Sequence, residues 1–278
     1  MNFNCLVFDI ETIPDVDGAR RLWGLSGLSD EDVAKVMVAK RQQESDGQSD
    51  FLRHHLQRVC AIAAVFRHDD KITVWALGEE ASSEAELLRR FFDGIERYSP
   101  TLVSWNGGAF DLPVMHYRAL INGVAAPRYW ETGNDDSSFR YNNYLSRYHW
   151  RHTDLMDVLS AYQPRAVAKL DDIATLMGFP GKLGMTGADV WPSFLRGELS
   201  AIRAYCETDV LNTYLVYLGF EHLRGNLHTP QYEVELTRLR EYLAEQAKSH
   251  FAAFLDAWPA RETLDKSSLD ITDHARVP

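Results

Sequence analysis

The opening segment MNFNCLVFDIET constrains this chain more than any other stretch, because it sets a short apolar run, Phe3 to Ile10, against two acids, Asp9 and Glu11. The run is far shorter than the ~20 apolar residues of a membrane span. It has no basic opening and breaks at Asp9, so it does not read as a signal peptide either. What remains is a buried strand that ends in carboxylates. Side chains alternate along a strand, so Asp9 and Glu11 share a face and can reach one ion.

The rest of the chain supplies partners for that strand. Val59 to Phe66 and Lys71 to Leu77, separated by His68-Asp69-Asp70, read as a hairpin. Ser83 to Tyr98 has helical spacing and Pro100 ends it before a strand at Thr101 to Trp105; a helix starts near Asp111. Three strands, a helix, a strand and a helix predict an α/β fold with a mixed sheet flanked by helices, not an all-parallel one. Polar residues over about 14–57, with a helix starting near Ser29 and a capping pair with Asp32, read as an insertion. A further helical region is expected from Asp154 to Tyr217, interrupted by the loop GFPGKLG at 178–184. Gln231 to Trp258 reads as one long amphipathic helix, followed by a polar, frayed tail.

Two more segments carry chemistry. In Trp105-Asn106-Gly107-Gly108-Ala109-Phe110-Asp111, the glycines after a strand allow close backbone approach and Asp111 opens a helix. Standing alone, Asp111 reads as an N-cap. In Tyr205-Cys206-Glu207-Thr208-Asp209, the tyrosine and the last acid are one helical turn apart and project from one face. Taken together, four carboxylates and a phenol match hydrolysis of a phosphodiester by two divalent ions about 4 Å apart. The formal charge of −11 excludes a broad basic coat for nucleic acid or membrane, but not a nuclease whose ions meet the phosphate. Cys5, Cys60 and Cys206 form no CxxC pair, which fits a reducing compartment, and no window is a membrane span. A cytoplasmic protein is expected.

The motifs FDIET, NxxxFD and YxxxD resemble those of the DEDD 3′-to-5′ exonucleases of the ribonuclease H-like fold. With HTDLMDVLSAY, GFPGKLG and IRAYCETDVLNTY, the stretch from Asn2 to about Arg224 resembles the stand-alone bacterial predicted exonucleases related to the proofreading domain of family B DNA polymerases. The resemblance implies a ribonuclease H-like sheet with an added long C-terminal helix. It implies two divalent ions, Mg²⁺ or Mn²⁺, held by Asp9, Glu11, Asp111 and Asp209, with Tyr205 orienting the attacking water. Because Ala204 stands where the histidine subgroup has its histidine, the chain resembles the tyrosine subgroup. Such a phenol, with an ordinary pKa near about 10, is a poor base. The expected activity is release of 5′-mononucleotides from single strands with a free 3′ end, DNA favoured, in repair or general end trimming. RNA trimming, or an idle interaction module on the same fold, are the alternatives.

The resemblance implies that Thr12, Asn106 and Phe110 contact the terminal nucleotide, with ordinary core packing the other reading of Phe110. Phe139 to His152 interleaves Arg140, Arg147 and Arg151 with four aromatic residues, so Arg147 and Trp150 are expected on a single-strand surface, or as a cover over the sheet. Asp154 is read as a helix cap or an acid behind the ion site. Lys182 sits in a plain turn or touches phosphate. The expected organisation is an exonuclease domain over 1–224, with insertions at about 14–57 and 123–152, then a helix and tail over 225–278 that dock on the core or pair two copies.

Overall fold

The computed structural model describes residues 4–258. Its sheet is built from β1 (Asn4–Pro14), β2 (Gln57–His68), β3 (Lys71–Ala76), β4 (Thr101–Ser104) and β5 (His152–Asp154), in the order β3-β2-β1-β4-β5. β2 runs antiparallel to β1 and β3, while β4 and β5 run parallel to β1. This is the mixed sheet flanked by helices that the sequence predicts. The hairpin between β2 and β3 falls where sequence placed it. β5 is not predicted by the sequence; it ends at Asp154, where the expected helical region begins with the helix over Leu155–Leu159.

Alternation along β1 divides the core. Leu6, Phe8 and Ile10 face one side, packed by Leu87, Leu88, Phe91 and Ile95 of a helix over Glu84–Tyr98 and by Leu112 and Met115 of another over Asp111–Asn122. Cys5 and Val7 face the other, against a buried helix over Leu199–Leu223 through Val210, Leu211, Tyr214 and Leu215. Asp9 and Glu11 continue the second register, so β1 aims them at that helix. With the insertion helices included, chain order gives α1 (Val16–Trp23), α2 (Asp30–Glu44), α3 (Glu84–Tyr98), α4 (Asp111–Asn122), α5 (Leu155–Leu159), α6 (Leu170–Leu176), α7 (Gly187–Leu195) and α8 (Leu199–Leu223). The expected cap is present: Ser29 accepts from the Asp32 N–H at 3.1 Å, satisfying a free donor of α2. α1 and α2 bury Val16, Ala19, Val33 and Met37 in a small cluster of their own, against which Trp191 of α7 packs.

The C-terminal segment departs from the expectation of one long helix. It forms α9 (Thr229–Glu245) and α10 (Ser249–Ala257), with an extended Gln246 between them. Leu236, Leu239, Leu243, Phe251 and Phe254 join the α8 side of the core. The expected boundary at 224 therefore falls between two helices that share one core. The polar tail after Trp258, and Phe3, lie outside the described residues.

Two buried ion clusters tie these layers together. Arg67 of β2 makes a paired contact to Glu235 of α9, both N–O distances 2.8 Å. Glu207 of α8 accepts from the Ala76 N–H of β3 at 2.7 Å, from Lys248 Nζ at 2.8 Å, and faces His250 Nε2 at 2.6 Å. Both pairs satisfy charges that burial alone would make costly.

Candidate active site

Four carboxylates from three distant segments meet at the C-terminal end of β1. Asp9 and Glu11 come from the strand, Asp111 from the first residue of α4, and Asp209 from α8. Glu11, Asp111 and Asp209 are buried and Asp9 is half-buried. Asp111 does not cap its helix; Phe110 holds the cap position, and Asp111 Oδ1 instead accepts the Ile10 N–H at 3.2 Å, between the two strand acids. The register of β1 against β2 slips after Glu11, and the extra residue, Cys60, donates its thiol to the Glu11 carbonyl at 3.3 Å. The bulge interrupts the register beside Glu11, and pairing resumes from Thr12 to Pro14.

Mutual proximity and burial raise the affinity of these acids for protons. Asp9 and Glu11 stand well above the usual carboxylate range, first because burial penalises the charge and then because the other acids repel it. Burial lifts Asp111 to about 7, and Asp209 is raised for the same reason. Among the described residues, the cation set against them is Lys182, whose Nζ lies 3.7 Å from Asp209 Oδ2. Tyr205, one turn before Asp209, donates its hydroxyl to that carboxylate and accepts from Lys182 Nζ at 3.0 Å. Burial, then the acids, pushes the phenol further up, so it is protonated at neutral pH.

Four acids facing one lysine form a donor set of hard oxygens in excess of nearby positive charge, which suits small divalent cations. Ligand atoms of Asp9, Glu11 and Cys206 lie within 4.8 Å of one another. The thiol is not a counterpart of the carboxylates: burial, reinforced by Asp9, holds it protonated, and it donates to the Asp9 carbonyl at 3.4 Å. The residues present therefore fit divalent ions through oxygen.

The loop between β4 and α4 shapes the mouth of the site. Asp154, at the end of β5, accepts the N–H groups of Asn106 and Gly108, both at 2.9 Å, and caps α5 through Met156 N–H at 3.1 Å. Asp154 is the helix cap that one reading expected, and it also holds the loop that leads to Asp111. A Cβ on Gly107 would collide with the Ser104 side chain, so that glycine is a packing requirement, and one on Gly108 would press on Asp154 Oδ2 at 3.1 Å. Asn106 holds a left-handed backbone, φ 65°. Thr12 donates to Gln57 Oε1 at 3.0 Å.

Sequence reasoning missed two contributors. Phe51 and His54, from the insertion, lie against Phe110 with ring centroids 5.4 and 5.7 Å away, and His54 Nε2 meets the Ala109 carbonyl at 2.9 Å. No local pattern marks residues that meet only after folding. Lys182 was visible as a lone lysine in a glycine-rich loop, but its destination was not. Conversely, Arg147 and Trp150 are not brought to the carboxylates. Arg147 pairs with Asp157 at 2.7 Å, and Trp150 stacks on Phe220, eleven residues past Asp209 and so ~16 Å along α8. Phe139 and Tyr144 of the same segment are buried core, as the cover reading had it.

The family described as "predicted 3'-5' exonuclease related to the exonuclease domain of PolB" matches residues 49–258, about three quarters of the chain, beginning after Asp9 and Glu11. A DNA polymerase of Archaeoglobus fulgidus is 24% identical over 161 residues, 57% of this chain and 19% of the polymerase. DNA polymerase 1 of Sulfurisphaera ohwakuensis is 52% identical over 42 residues, 15% of this chain and 5% of that one. The chain thus spans a fifth or less of the curated relatives it matches. Among solved structures, the family B DNA polymerase of Pyrobaculum calidifontis aligns with a TM-score of 0.47 at 17% identity, covering 80% of this chain and 24% of the polymerase.

Proposed function

Because the chain belongs to the family of predicted 3′-5′ exonucleases related to the exonuclease domain of PolB, we propose that it is a metal-dependent 3′-to-5′ exonuclease acting on single strands, with DNA the favoured substrate. The observation that carries this reading is the convergence of Asp9, Glu11, Asp111 and Asp209, from segments about 100 residues apart in sequence, around the hydroxyl of Tyr205. A binding module gains nothing from four acids that repel phosphate.

Asp9, Glu11, Asp111 and Asp209 would hold two divalent ions, Mg²⁺ or Mn²⁺, which when bound lower the pKa of water and neutralise the phosphate. The Tyr205 hydroxyl, protonated and fixed between Asp209 and Lys182, holds the attacking water in line but does not take its proton. As the water oxygen bonds to phosphorus the P–O3′ bond breaks, the water's proton passes to solvent and the 3′ oxygen of the shortened strand takes one from solvent, which releases a 5′-mononucleotide and leaves a new 3′ hydroxyl. Lys182 offers its ammonium to the phosphate. Asn106 and Thr12 line the entrance, and Phe110, flanked by Phe51 and His54, gives the unpaired terminal base an aromatic wall. That the curated relatives are DNA polymerases favours DNA over RNA.

The deciding experiment incubates 5′-labelled DNA and RNA single strands, open or blocked at the 3′ end, with Mg²⁺ or Mn²⁺. A ladder shortening from the open 3′ end is expected, with a blunt duplex slower because its terminal nucleotide must unpair. Equal loss of 3′-blocked strands refutes the directionality, and no loss of any strand refutes the activity.

A further inference from the structure

The segment 139–152 contains three arginines and no acid in a chain of net charge −11, and much of its aromatic surface faces solvent. Tyr148 is 68% exposed and Trp150 48% exposed. Tyr148 meets Tyr162 edge to face, with centroids 5.0 Å apart. The Arg147 guanidinium lies 5.1 Å from the Tyr162 centroid, anchored by Asp157, and the Tyr162 hydroxyl donates to the Arg147 carbonyl at 3.2 Å. Trp150 carries the Arg224 guanidinium 4.4 Å from its ring. Exposed Arg140 and Arg165 have no ion partner among the described residues.

Tyr162 is held where its backbone resists it. Ala161 and Tyr162 both adopt left-handed conformations, φ 51° and 61°, a region that favours glycine. The fold places a large, half-buried ring there nonetheless, which is how strained functional positions behave. The patch also adjoins the candidate active site. Asp154 holds the loop of Asn106 and Gly108, and Asp157, which holds Arg147, follows it on α5 by about one helical turn.

We propose that Tyr148, Tyr162 and Arg147, continued by Trp150 and Arg224, form an exosite that grips the single strand upstream of the 3′ end. Aromatic faces accept any unpaired base and the guanidiniums meet its phosphates, so the surface is indifferent to sequence. Tracts of this chemistry hold about 4 to 16 nucleotides. The proposal rests on the nuclease reading for its choice of strand, and its test is binding, which needs no turnover.

The anisotropy of a 5′-fluorescein 24-mer of thymidylate is titrated with the full chain in EDTA, at several salt concentrations. The wild type is expected to bind with affinity that falls as salt rises. Tyr162→Gly removes the ring while suiting the left-handed backbone, so the fold is kept; it and Tyr148→Ala are each expected to weaken binding about tenfold. Tyr162→Phe keeps the platform and is expected to hold wild-type affinity. Unchanged affinity in both ring-deleting variants, no binding by the wild type, or loss in Tyr162→Phe equal to that in Tyr162→Gly overturns the proposal. Equal competition by polyglutamate also overturns it, assigning the face to an acidic protein. If strands bind as expected but are never shortened, the nuclease reading fails and the exosite stands.

Discussion

Removing divalent ions makes the protein less stable as pH rises, and Asp111→Asn should remove a defined share of that loss. Burial lifts Asp111 to about 7, whereas an unfolded aspartate titrates near about 3.9. Between those values the native state binds one proton more than the unfolded chain, so stability is greatest below the window and declines as pH climbs through it. Each unit amounts to about 1.4 kcal/mol and the group is half titrated at its own pKa, so Asp111 alone accounts for roughly 2 kcal/mol between pH 5 and 7. Asp9 and Glu11, raised in the same direction, steepen the wild-type slope. Asparagine keeps the oxygen that accepts the Ile10 N–H and cannot ionise. Urea unfolding in EDTA at half-unit steps from pH 5 to 8 measures both slopes. The variant should fall less steeply, by close to one proton near pH 5 to 6 and by about half a proton at pH 7. Adding Mg²⁺ or Mn²⁺ at a hundred times its Kd should restore ~2.7 kcal/mol to the wild type at pH 8. His116 and His152, lowered to about 4 by burial, add the same opposing slope to both proteins, so the difference between the two slopes is the test, and equal slopes refute the reasoning.

Other outcomes are equally specific. Tyr205→Phe should lower kcat roughly ten- to a thousand-fold at nearly constant KM, because the hydroxyl acts on the reacting water; full activity reduces the phenol to packing. Asp209→Asn should instead weaken metal affinity, and a titration should find partial rescue by high Mn²⁺ that Tyr205→Phe does not share. Gly107→Ala puts a methyl against the fixed Ser104 side chain, and should cost about 1 to 3 kcal/mol in chemical denaturation together with activity. Glu235→Ala leaves Arg67 buried without its carboxylate partner, and should cost about 3 to 5 kcal/mol by the same assay.

What sequence could and could not disclose follows from range. The Asp9 and Glu11 pair was legible because alternation along β1 is a local rule, and Tyr205 with Asp209 because helical spacing is another. β5 escaped because His152-Thr153-Asp154 is too short to show a period. α9 and α10 were merged because the apolar spacing runs on across Gln246, and nothing in composition marks an extended residue there. Phe51, His54 and Lys182 reach the site across folded space. Arg147 and Trp150 are exposed, as their mixed basic and aromatic segment suggests, but composition carries no address.

Glu207 gives α8 a mechanical role beyond scaffolding. It lies two residues from both Tyr205 and Asp209, so about 200° of helical rotation separates its direction from each of theirs. With Ala76, Lys248 and His250 fastened to it, α8 is keyed against torsion like a shaft pinned on its far side. The phenol cannot swing relative to the β1 acids without breaking that pin. Residues 248 and 250 are thus part of the site's alignment although neither faces it, and a load applied to the C-terminal helices would be felt as misalignment at Tyr205 before it was felt as unfolding.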